Sequence, residues 1–131
     1  MKEVLALLQE CRFYFFATVE GDQPRVRPFG AQCEFEDKLY LTTSNQKPVY
    51  AQMKANPKIE IAGMLGDGRW LRLTAEAVFD ERREAKQAML DANPELGGLY
   101  AVDDGKFEVF YLQNATAVVN SFTAAPVTYT F

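Results

Sequence analysis

The sequence predicts a mainly β protein, an antiparallel barrel with a few helices on its outside. Three observations lead there. Stretches with strand-like alternation outnumber helical ones, and short turns join most neighbours. Ten Phe and six Tyr supply the aromatic content that strands favour. At 131 residues, near the commonest domain size, the chain reads as a single domain spanning residues 1–131. A hydrophobic share of 48% is enough for a core.

The elements follow in order. Val4, Leu5, Leu8 and Cys11 keep a helical stripe, so residues 2–11 are read as a short amphipathic helix. "FYFFATVE" is aromatic and β-branched, and ends at the turn-forming "EGDQP". "RVRPFGAQCEF" is a second extended segment, bent at Gly30, and "EDK" turns it into "LYLTT" as a hairpin. Pro48 suits a first helical turn, Val49, Tyr50 and Met53 share a face, and Asn56-Pro57 ends that helix. "KIEIAGML" alternates, "GDG" turns, and "RWLRLTAEAVF" is a long strand. Asp80 is expected to cap a helix running to about Leu90. "ELGGLYAVDDG" reads as loop, and "KFEVFYLQNATAVVNSF" as a long strand or pair, interrupted near Asn114. The apolar tail "TAAPVTYTF" is expected to pack on a partner.

Composition excludes several chemistries. The chain has no histidine, which removes Ser-His-Asp and Cys-His catalysis and histidine-ligated metal or haem; no metal site is expected. A net charge of −4 argues against nucleic acid and anionic membranes as partners, and against an oligonucleotide-binding barrel. Cys11 and Cys33 have no metal spacing and read as reduced, buried thiols. "MKEVLALLQECR" interrupts its apolar pattern with Glu3, Gln9 and Glu10, unlike a signal sequence, so the expected compartment is the cytoplasm.

Two segments carry candidate chemistry. In "PRVRPFG", period-two geometry sends Arg25 and Arg27 to one face, and Pro28 points to an edge strand. In "LTTSNQKP", a strand ends at Thr42-Thr43, and Ser44, Asn45 and Lys47 lead into a helix start, whose free amides suit a phosphate. Each segment alone also has a plain reading, a solvent-facing edge and a capped helix. Together, brought close by the hairpin at Glu36-Asp37-Lys38, they are read as two halves of one anion site.

The order "FATVEGDQPRVRPFG … KLYLTTSNQKPVYAQMKANPKIEIAG … WLRLTAEA" resembles the FMN-binding split barrels related to pyridoxamine 5'-phosphate oxidase. It is most similar to their short, nitroimidazole-resistance-like members. The resemblance implies a six-stranded antiparallel split β-barrel of Greek-key type, dimeric, with FMN at the subunit interface. It implies that Arg25, Val26, Arg27 and Pro28 run along the flavin, and that Thr42, Thr43, Ser44 and Lys47 hold its ribityl chain and phosphate. Trp70 would stack on the flavin or fill the barrel rim, and Asn120 would be lent across the dimer. The implied function is a flavin-dependent oxidoreductase on a small molecule, with a nicotinamide as possible electron donor. A deazaflavin-dependent reductase and a non-catalytic flavin-binding or redox-sensing module are the alternatives. No catalytic side chain is identified. The C-terminal segment lacks the arginine and histidine with which the oxidase holds its substrate, so formation of pyridoxal phosphate is not expected.

Overall fold

The computed structural model describes all residues from Met1 to Phe131. Helix α1 (Lys2–Cys11) precedes the hairpin β1 (Tyr14–Glu20) and β2 (Gln23–Phe29), then β3 (Gln32–Phe35) and β4 (Lys38–Ser44). Helix α2 (Pro48–Ala55) leads to β5 (Lys58–Met64) and β6 (Trp70–Asp80). Helix α3 (Arg83–Ala92), a 3-10 turn at Pro94–Gly98, β7 (Phe107–Asn120) and β8 (Val127–Thr130) complete the chain.

One antiparallel sheet contains every strand, in the order β2-β1-β5-β6-β7-β4-β3, with β8 also on β7. Eight strands therefore stand where six were expected. One addition comes from the bent segment: at Gly30-Ala31 the chain leaves one end of the sheet path and enters the other, so a single extended run becomes β2 and β3. Tyr14 fastens this seam, its hydroxyl donating to Gln32 Oε1 at 2.8 Å. Gly30 suits the crossing, because a Cβ there would sit tightly, 3.2 Å from both the Arg12 carbonyl and the Phe13 ring.

The other addition is the tail, whose Val127–Thr130 joins the sheet as β8. The interruption near Asn114 is a bulge, with Asn114 at φ 50° and the register slipping between Thr74 and Glu76. Beyond it, Ala115 exchanges backbone hydrogen bonds with Phe131, and Thr116–Val119 pair with β8. β4 pairs with the earlier half of β7, so two strands share one edge.

The barrel interior is filled by Phe16, Leu41, Ile61, Leu71, Leu73 and Phe110, capped by Val4 and Leu8 of α1. A second core lies under α3, where Ala85 and Met89 meet Cys33, Tyr40, Phe107 and Val109. Asp80 does not cap α3: it ends β6, and Arg82 stands at the cap position. Instead Asp80 Oδ2 accepts the Tyr40 hydroxyl at 2.7 Å, while Arg82 bridges Asp80 and Glu36. These charge-assisted bonds hold the Asp80 carboxyl down at about 2.

Part of the outer sheet face is apolar. Register places Phe15, Pro28, Ala62, Met64 and Trp70 on it, and Phe13, Phe15, Val26, Met64 and Phe122 are each more than half exposed. No helix is long and apolar enough to cross a membrane.

Candidate functional site: an anion cleft at the sheet seam

Register confirms that the two arginines share a face: Arg25 is opposite Thr18 and Arg27 opposite Phe16, both buried. Their side chains nevertheless end differently. Arg25 donates through Nε and Nη2 to Glu20 Oε1, at 3.1 and 2.9 Å, in an exposed ion pair. Arg27 turns toward the barrel. Its Nη1 donates to the Phe16 carbonyl at 3.1 Å and to Thr18 Oγ1 at 2.8 Å, and its Nη2 to Gln52 Oε1 at 2.7 Å.

All three acceptors of Arg27 are neutral, and it forms no ion pair. Burial, with Arg25 nearby, lowers its pKa from the ordinary arginine value. A half-buried charge without a counter-ion is costly, so this one invites an anion.

Arg27 lines a cleft of about 220 Å³ with Pro28, Phe29, Gly30 and Ala31 on one wall. Thr42, Thr43 and Lys47 stand opposite, and Leu96, Leu99 and Tyr100 close a third side. β3 pairs with β4 only as far as Leu41, so Thr42–Ser44 are paired with β7 on one side while their other edge, toward the seam, has no strand beside it. Lys47, at the cap position of α2, also makes no ion pair.

The three hydroxyls differ. Thr42 donates to the Glu108 carbonyl at 2.8 Å, and Ser44 Oγ accepts the Gln46 amide at 3.2 Å. Thr43 Oγ1 is buried without any hydrogen-bond partner. Buried hydroxyls are rarely left so, and a ligand oxygen is a ready explanation.

The structure thus brings together Arg27, Pro28, Thr42, Thr43 and Lys47. Arg25 and Ser44 lie beside the cleft without lining it, and Val26 points out on the apolar face. Trp70 and Asn120 are register partners on adjacent strands, and neither lines the cleft. Trp70 packs on Phe122 with ring centroids 5.1 Å apart. Sequence reasoning missed Thr18 and Gln52, which look solvent-facing until α2 docks, and the Leu96-Leu99-Tyr100 wall, which was read as plain loop.

The profile of the family described as pyridoxamine 5'-phosphate oxidase matches residues 1–117. A search of curated proteins finds no match. Among solved structures, a NimC/NimA family protein from Clostridium acetobutylicum is 47% identical, covering 100% of this chain and 92% of its own, with a TM-score of 0.98. General stress protein 26 from Bacillus anthracis shares the fold at 18% identity, covering 99% and 97%, with a TM-score of 0.75. A pyridoxamine 5'-phosphate oxidase-related, FMN-binding protein from Nostoc punctiforme does so at 13% identity, covering 99% and 95%, with a TM-score of 0.68. With one profile spanning most of the sequence and a near-complete structural match at high identity, this chain belongs to the pyridoxamine 5'-phosphate oxidase family.

Proposed function

We propose that the chain binds FMN and works as a flavin-dependent oxidoreductase on a small molecule. The observation that carries this reading is the uncompensated Arg27, set with Lys47 and the unpartnered Thr43 hydroxyl around one cleft. That donor set fits a phosphate dianion. The wall from Pro28 to Ala31, with Leu96, Leu99 and Tyr100, suits a flat apolar ring. FMN, when bound, supplies the redox chemistry. This chain's residues bind and orient it: Arg27 and Lys47 hold the phosphate, and the free edge at Thr42–Ser44 offers backbone amides beside it.

A homodimer completes the site in this reading. At about 220 Å³ the cleft is smaller than the roughly 300–1,000 Å³ usual for such ligands, so one chain encloses only part of a flavin nucleotide. The apolar face carrying Phe15, Val26 and Met64 is the surface a second copy would cover, bringing its Trp70 and Asn120 toward the cleft. The cytoplasm suits the two free thiols, and a reduced nicotinamide is the electron donor to test first. Pyridoxamine 5'-phosphate is not the assigned substrate, since it brings a second phosphate and nothing after Lys106 is basic.

The test is an absorption spectrum of the purified protein, then mass spectrometry of the released ligand. Oxidised flavin bands and the mass of FMN are expected; no uptake of FMN on reconstitution would overturn the reading. Bound flavin that no nicotinamide or substrate reduces would leave a binding module instead of an enzyme.

A further inference from the structure

Arg27 reaches the cleft uncompensated although a carboxylate lies close by. Glu20 stands three residues beyond Ala17 on β1, next in the same chain of polar contacts, and Gln52 separates the two. The Gln52 side chain is buried on α2, and both ends of its amide are engaged. Its Oε1 accepts from Thr18 Oγ1 at 2.5 Å and from Arg27 Nη2 at 2.7 Å. Its Nε2 donates to Glu20 Oε2 at 3.3 Å. Glu20 in turn is occupied by Arg25.

We propose that Gln52 is a positioning residue that insulates Arg27 from Glu20, holding the guanidinium at the cleft with its charge free for a phosphate. The assignment rests on the flavin reading above. Only an uncharged amide meets both demands. It presents an acceptor to the guanidinium and a donor to the carboxylate, and so fixes Arg27 without neutralising it. A carboxylate in its place would pair with Arg27 directly, at charge-assisted hydrogen-bonding distance, and would turn its other oxygen on Glu20. An apolar residue would leave the Thr18 hydroxyl and the Arg27 Nη2 group without their acceptor. Arg27 meets the ligand and Gln52 does not.

The experiment compares binding of FMN, riboflavin and inorganic phosphate to the full chain, to Gln52→Glu and to Glu20→Gln/Gln52→Glu. The double variant removes the repulsion between the two carboxylates, and it decides the matter if the single variant folds poorly. In both variants the dissociation constant for FMN should rise about ten- to a hundredfold, the loss of one charge-assisted hydrogen bond. Inorganic phosphate should weaken in parallel, and riboflavin should change by less than about twofold. Equal losses for FMN and riboflavin would make Gln52 merely structural and overturn the assignment. Unchanged FMN affinity in a folded variant would overturn it too, leaving the flavin reading intact. Wild-type protein that takes up neither FMN nor phosphate would remove the flavin reading, and the assignment with it.

Discussion

The guanidinium of Arg25 ends on Glu20 and that of Arg27 on three neutral acceptors, so the two positions should respond differently to truncation. Lys47→Ala and Arg27→Ala should each raise the dissociation constant for FMN about ten- to a hundredfold. Arg25→Ala should do much less, because an exposed ion pair already occupies that charge. Riboflavin binding by Lys47→Ala should barely move, as it lacks the phosphate; titration by flavin fluorescence measures all three. Arg27, Thr43 and Lys47 were legible in the sequence because residue type and local spacing alone suggest an anion site. Thr18 and Gln52 were not, since a polar residue on a strand or helix face is normally solvated. Only the docking of α2 on β1 buries them. Nor does spacing tell which of two neighbouring arginines finds a carboxylate within its own hairpin.

Most strands and all three helices could be read from periodicity and punctuation, and the errors fall where tertiary contacts decide. Nothing local marks "RVRPFGAQCEF" as two strands at opposite ends of a sheet; the crossing at Gly30 shows only once both ends have found partners. Asp80 resembles a helix cap in sequence but is held instead by Tyr40 and Arg82, tying β4 to the end of β6. Its carboxyl lies at about 2, below the roughly 3.9 of an unfolded aspartate, so the linkage has a definite sign. The stabilisation is fully present above about pH 4 and is lost as pH falls through the folded value near 2. Tyr40→Phe removes a bond to this charge and should cost about 1.5–3 kcal/mol near neutrality. Urea unfolding of both proteins from pH 7 down to pH 2 checks it, and the difference should narrow at the acid end. A constant difference across that range would show that the tyrosine matters for packing alone. A second junction, between α1 and β5, tolerates little change. A Cβ on Gly63 would sit 2.7 Å from Cys11 Sγ and 3.2 Å from Tyr14 Cβ. Gly63→Ala should therefore cost about 1–3 kcal/mol, partly recovered by adding Cys11→Ala.

For the whole molecule, the sequence forecast the barrel and its family but gave no sign of which sheet face stays bare. Aromatic residues alternate on both sides of β1, and only the curling of the sheet around its core sorts Phe16 inward and Phe15 outward. The dimer expected on that face should elute as a two-chain species by size-exclusion chromatography with light scattering. Phe15→Glu should shift it to monomer and weaken FMN together, because each cleft is incomplete alone; a monomeric wild type with FMN bound would separate the two properties. The seam at Gly30-Ala31 carries a further consequence. β2 pairs only with β1 and β3 only with β4, so covalent continuity and side-chain pins, not a ladder, join the two ends of the sheet. Such a joint can breathe without breaking any rung. Amide hydrogen exchange should therefore be fast from Phe29 to Gln32 and slow along β6 and the paired length of β7, with a ligand lodged in the joint acting as its latch.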